Sequence, residues 1–151
     1  MKLFRSSSSG DTRKIAARAA RSILRRSRKV RQRAIVIGLS GDLGAGKTTF
    51  VQGFLRALGS RSRAISPTFL LIRRIPVKRA NISSVFHVDV YRLRRPEEIF
   101  RVGFRDILND PWNVILVEWG DRIKKLLPRG SGWVSLVHGP KPNERFIRVK
   151  I

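Results

Sequence analysis

The chain has 151 residues, 42% of them apolar, a formal charge of +23 and no cysteine. That apolar content suffices for a folded core and argues against a disordered chain. The absence of cysteine excludes a disulfide framework, a thiolate zinc site and a thiol nucleophile, and it suits a reducing cytoplasm. So large a positive charge attracts polyanions, with tRNA the first candidate, although basic residues are scattered along the whole chain.

Residues 1–33 carry twelve basic side chains, Lys2 to Arg33, against the single acid Asp11. An Arg- and Ser-rich stretch of this kind has the composition of an organellar transit peptide. The competing reading is a structural first helix, and the apolar spacing favours it. Ile15, Ala16, Ala19, Ala20, Ile23 and Leu24 form one stripe of a helix capped by Asp11 or Thr12 and running to about Ser27. Its narrow, Ala-rich surface is suited to close packing on a sheet. No apolar run approaches the roughly 20 residues of a membrane helix, and no secretory segment follows Met1, so a cytoplasmic protein without membrane contact is expected.

Ala34 to Leu39 is a continuous apolar run, the pattern of a parallel strand buried on both faces. Ser40 to Thr49 turns the chain, and Lys47 to Leu58 predicts a helix ended by Gly59. Phe69 to Ile75 and Val85 to Tyr91 predict strands joined by a polar turn near Asn81, close enough for antiparallel pairing. Pro96, followed by Glu97 and Glu98, opens a short helix. Val114 to Val117 predicts a second buried strand, Asp121 to Leu127 a helix stopped by Pro128, and Trp133 to Val137 and Phe146 to Ile151 closing strands. The expected architecture is α/β: three layers, with helices flanking a mixed, mainly parallel central sheet. Residues 1–151 are expected to form one domain.

Gly41-Asp-Leu-Gly-Ala-Gly-Lys-Thr48 fits the phosphate-binding pattern G-x-x-x-x-G-K-[ST], with a strand before it and a helix after it, so the three-layer fold is expected to be of the P-loop NTPase kind. Glycines let backbone N–H groups converge on phosphate oxygens, and the helix N-terminus adds its positive dipole end. Lys47 supplies a cation to the β- and γ-phosphates, and Thr48 a hydroxyl to Mg²⁺. A second acid is needed to hold the metal or position water. Glu118, after a buried strand, and Asp89, within one, occupy suitable places. No N-K-x-D guanine-reading segment is present, so ATP is the expected nucleotide. A lone strand histidine such as His87 is expected to be packed and hydrogen-bonded rather than a metal ligand.

Gly41 to Thr49, Ser66-Pro-Thr-Phe69, His87-Val-Asp-Val-Tyr-Arg-Leu93, Pro96-Glu-Glu98 with Gly103, and Val117-Glu-Trp119 occur together in this order. In that combination the chain resembles the bacterial TsaE (YjeE) family, which serves threonylcarbamoyladenosine synthesis on tRNA. The resemblance covers about Ser9 to Pro128. It implies phosphate contacts along the loop from Gly41 and Asp42 through Gly44, Ala45, Gly46, Lys47, Thr48 and Thr49, with Arg145 approaching from the last strands. It implies Mg²⁺ on Thr48 and Glu118, with Asp89 near the metal or its water, and so a catalytic set of Lys47, Asp89 and Glu118. Ser66, Pro67, Thr68 and Phe69 take the place of a nucleotide-sensing loop, and Tyr91, Arg92 and Trp119 are candidates for partner or nucleotide contact. A Ser/Thr turn and helix before the first strand also belong to the family pattern, which makes the basic N-terminal segment part of the fold.

By the same resemblance the protein is an ATPase, weak alone, that acts as a nucleotide switch on a transferase complex of TsaD and TsaB homologues. Direct tRNA contact through the basic surface stays open. Two rivals remain: a P-loop small-molecule kinase, although no distinct lid insertion is visible, and a basic RNA-binding protein with a vestigial loop.

Overall fold

The computed structural model describes residues 1–26, 32–60, 71–79 and 81–151. Its elements run β1 (Lys2–Ser6), α1 (Ser9–Arg26), β2 (Ile35–Ser40), α2 (Lys47–Ala57), β3 (Ile72–Arg79), β4 (Ile82–Asp89), a 3₁₀ helix at Pro96–Val102, α3 (Phe104–Asn109), β5 (Asn113–Glu118), a second 3₁₀ helix at Gly120–Leu126, β6 (Gly132–His138) and β7 (Arg145–Lys150). The seven strands form one sheet in the order β1-β7-β6-β2-β5-β4-β3. Its four central strands are parallel, because β2 pairs with β5 and β6 and β4 pairs with β5. Antiparallel pairs flank them: β3 on β4, β7 on β6 and β1 on β7.

The continuous apolar runs become the central strands. β5 is buried at every position, and β2 at Val36 through Leu39. Helices therefore cover both faces. On one side α1 and α2 seal a core that includes Ile15, Ala16, Phe50, Phe54, Ile37 and Leu116. On the other, Ile99, Phe104, Leu108 and Ile123 pack against Val36, Ile115 and Val117. β3 carries Pro76 and a register irregularity after it. A proline is tolerated there because the strand is at the sheet edge and its missing N–H costs no ladder bond.

The first helix departs from expectation in two ways. Its cap is Ser8, not Asp11 or Thr12. The Ser8 hydroxyl accepts the Asp11 N–H at 3.1 Å, while the Asp11 carboxylate accepts the Ser7 N–H at 3.2 Å, a reciprocal arrangement close to a capping box. Its Ala-rich stripe packs chiefly on α2 rather than directly on the sheet. The contact is close at Gly53, where a Cβ would lie 2.5 Å from Arg13 Cα and 2.6 Å from Arg13 O.

α2 ends where glycine is needed. Gly59 has φ +83°, and the Ser60 N–H reaches back to Leu55 O at 3.0 Å, closing a Schellman-type turn. Three further features lie outside the expectations: strand β1, helix α3, and the 3₁₀ character of Pro96–Val102 and Gly120–Leu126. Among the described residues no helix is long and apolar enough to cross a membrane.

Candidate functional site

The parallel strands β2, β4 and β5 end side by side, and in sheets of this kind ligand sites form at the carboxyl ends of the strands. β2 delivers Ser40 and the loop Gly41 to Gly46; β4 ends in Asp89 and β5 in Glu118. The register sets Glu118 opposite Leu39 on one side and Asp89 on the other. Two acids far apart in sequence are thus brought to one edge by strand pairing alone.

The loop conformation depends on its glycines. Gly41, Gly44 and Gly46 have φ of +141°, +73° and +100°. A Cβ at Gly41 would also lie 2.2 Å from Leu136 O, so strand β6 leaves room for backbone only. Gly46 passes the chain into α2, whose first residue is Lys47. The loop and helix N-terminus have the build of an anion cradle.

Lys47 is only 5% exposed. Its Nζ donates to Gly41 O at 2.6 Å and Asp42 O at 2.8 Å, and it lies 3.7 Å from the Trp119 ring centroid. Burial pushes its pKa below the ordinary lysine value, while Glu118, Asp89, Asp121 and Asp42 act in the opposite sense. Thr48 Oγ1 donates to Glu118, whose two oxygens lie at 2.9 and 3.0 Å. Glu118 Oε1 is also 2.8 Å from Nε2 of the fully buried His87. The histidine is therefore packed and hydrogen-bonded, as expected. Asp89 Oδ1 accepts the Tyr91 N–H at 3.0 Å, which fixes the start of the loop after β4.

Trp119 is the one non-glycine with positive φ among the described residues, at +60°. Backbone strain of this kind concentrates at functional sites. It turns the indole over Lys47 and to 5.0 Å from the Tyr91 ring. Arg145 Nη2 donates to Gly44 O at 3.2 Å, which brings the β6–β7 hairpin to the loop tip. Ala45 and Thr49 sit in the loop and the first turn of α2. Ser66, Pro67, Thr68 and Phe69 lie outside the described residues.

Two members of the site left no signal in the sequence. Arg122 holds the carbonyls of Tyr91 and Leu93, the latter at 2.9 Å, and so ties the loop carrying Tyr91 and Arg92 to the segment after Glu118. His138 Nε2 lies 3.3 Å from Leu43 O at the loop tip. Neither stands in a recognisable motif.

The oxygen set of Thr48, Glu118 and Asp89 is hard and anionic, which fits Mg²⁺. Among the described residues no group of three or more His, Cys, Asp or Glu side chains could hold a metal alone.

The family model described as threonylcarbamoyl adenosine biosynthesis protein TsaE matches residues 6–146. The chain belongs to the TsaE family. Relatives named tRNA threonylcarbamoyladenosine biosynthesis protein TsaE include one from Haemophilus influenzae, 37% identical over 70% of this chain and 64% of its own. Another, from Rickettsia conorii, is 43% identical over 61% of this chain and 50% of its own. The match thus spans between half and just under two thirds of these relatives' length. The crystal structure of Bacillus subtilis YdiB aligns with 98% of this TsaE-family chain and 83% of its own, at TM-score 0.71 and 26% identity. The same α/β fold extends through nearly all of this chain and most of the other.

Proposed function

We propose that this TsaE-family chain is a Mg²⁺-dependent ATPase serving threonylcarbamoyladenosine modification of tRNA, as a nucleotide switch on a TsaD–TsaB transferase complex. The observation that carries the reading is the convergence of Lys47, Thr48, Glu118 and Asp89 around a glycine loop at the carboxyl edge of the sheet.

ATP and Mg²⁺ supply the transferable phosphoryl group and the charge that neutralises it. The chain's residues do the rest. Gly41, Asp42, Gly44, Ala45, Gly46 and Thr49 present backbone to the phosphates; Lys47 places a cation there; Thr48 and Glu118 offer oxygens to the metal. Asp89 borders the same space and orients water or a metal-bound water. Arg145 is assigned to add positive charge near the phosphates, and its hydrogen bond to Gly44 O supports that role. Tyr91, Arg92 and Trp119, with Ser66 to Phe69, are the segments assigned to report nucleotide state to a partner. Tyr91, Trp119 and Lys47 are already in contact, which supports a link between loop position and the phosphate cation.

The test is steady-state ATP hydrolysis by the purified chain, alone and with TsaD and TsaB proteins, with Lys47→Ala as control. Stimulation by the pair that disappears in the variant supports the switch. Tight ATP binding without any partner effect removes the tRNA-modification role and leaves only a nucleotide site.

A further inference from the structure

At the opposite end of the sheet, where β2 and β6 begin, a cleft of about 1410 Å³ opens between the start of β2, the 3₁₀ helix Gly120–Leu126, the turn after it and the end of β7. The start of β2 lies about 20 Å from the glycine loop, and Ile37, the cleft residue furthest along the strand, about 13 Å from it. The cleft has an apolar floor that includes Ile23, Ile37 and Trp133.

Its rim is different. Arg33, Lys124, Lys125, Arg129 and Lys150 surround it, and no acidic residue stands among its described lining residues. All five are exposed. Arg5 meets Glu144 and Lys14 meets Asp11, both away from this cleft. Here like charges accumulate, held by elements that are themselves fixed. Lys124 Nζ sits 5.6 Å from the Trp133 ring centroid, and the turn before β6 is tied by the Ser131 hydroxyl and N–H, both donating to Pro128 O at 2.7 and 3.1 Å. Five cations around one concavity repel one another unless an anion is shared between them, and a concave surface of one sign concentrates potential.

We propose that this cleft takes the phosphodiester backbone of a tRNA. A single phosphate would need convergent donors deep in a pocket. These cations instead ring a wide, open cleft, which matches a charged strand passing across it. Choosing tRNA among polyanions rests on the proposed role in tRNA modification. The siting has its own consequence: RNA and nucleotide are held at opposite ends of the parallel strands, so each can bind while the other is bound.

The test compares two triple variants of equal charge change, using a fluorescein-labelled unmodified tRNA transcript as probe. Lys125→Glu/Arg129→Glu/Lys150→Glu alters the cleft; Arg18→Glu/Arg21→Glu/Arg101→Glu alters exposed positions that do not line it. Circular dichroism and ATP affinity confirm that both are folded. The cleft variant is expected to lose about tenfold or more in affinity near 0.1 M salt, with the log–log salt slope flattened by about two to three units. The control variant should lose less than about threefold. Equal losses in both variants, or tRNA affinity in the cleft variant matching wild type, would overturn the proposal. So would retained tRNA affinity with lost binding to TsaD and TsaB proteins, which would make the cleft a protein-docking surface. Failure of ATP hydrolysis with tRNA binding intact would count against the proposed function alone.

Discussion

The hydroxyl of Thr48 faces both carboxylate oxygens of Glu118, at 2.9 and 3.0 Å, across seventy positions of sequence. A hydroxyl has one proton, so it is shared between two acceptors, while its own lone pairs stay available to a cation. Glu118→Gln keeps the shape but removes the charge. We expect ATP turnover to fall by about a hundredfold and the Mg²⁺ dependence of nucleotide affinity to flatten. Magnesium titrations of nucleotide binding check this. An unchanged Mg²⁺ dependence would move the metal to Asp89.

How much of this arrangement was legible follows from which interactions are local. The loop from Gly41 to Thr48 depends on residue types at fixed spacing, and the buried strands on unbroken apolar runs; both are properties of sequence. Glu118 could be singled out because it ends such a run. β1 could not. Three of its five residues are exposed, two of them basic, and among the described residues its ladder partner is β7, at the far end of the chain. Arg122 reaches the Tyr91 and Leu93 carbonyls only after β4 and β5 have paired. The cap shifted to Ser8 because four successive serines offer equivalent caps, and only the fold decides between them.

His87 is wholly buried, and its Nε2 meets Glu118 Oε1 at 2.8 Å. With that nitrogen donating, Nδ1 remains as a buried acceptor without a hydrogen-bond partner among the described residues. Removing the ring leaves the carboxylate short of one partner and opens a cavity. His87→Ala is expected to lower stability by about 1–3 kcal/mol. Urea unfolding measures that, and a loss below about half a kcal/mol would show that the bond contributes little. His87→Gln, which can still donate, should recover part of the loss.

Gly53 permits α1 and α2 to touch at backbone distance. A methyl at that position would stand 2.5 Å from Arg13 Cα, and backbone cannot yield as a side chain does. Gly53→Val should therefore cost about 1–3 kcal/mol in unfolding free energy, despite the better helix propensity of most residues over glycine. A stabilised variant in thermal melts would mean that the helices are not packed this closely.

Asp11 has a pKa below its ordinary value, chiefly through the Ser8 side chain, then the Ser7 N–H, with Lys14 adding to the effect. A carboxylate depressed in the folded state stabilises the protein above its unfolded pKa, and that contribution disappears as pH falls through the folded value. Asp11→Asn should thus reduce the melting temperature slightly at pH 7 and make no difference near pH 2. A gap that persists in acid would assign the effect to packing instead of charge.

Trp119 holds its ring 3.7 Å from Lys47 Nζ while two loop carbonyls accept from the same ammonium. A phosphate drawing on Lys47 must compete with these partners. An exposed cation–π contact is worth about 0.5–1 kcal/mol, and a desolvated one about 2. Trp119→Leu removes the ring and leaves an apolar side chain, so nucleotide affinity should rise by about two- to tenfold. Wild-type tryptophan fluorescence should change on nucleotide addition, and the change should vanish in the variant although Trp112 and Trp133 remain. Fluorescence titration reads both effects. A fall in affinity would mean that the indole contacts the nucleotide more strongly than it restrains the lysine, because losing a competitor cannot weaken binding.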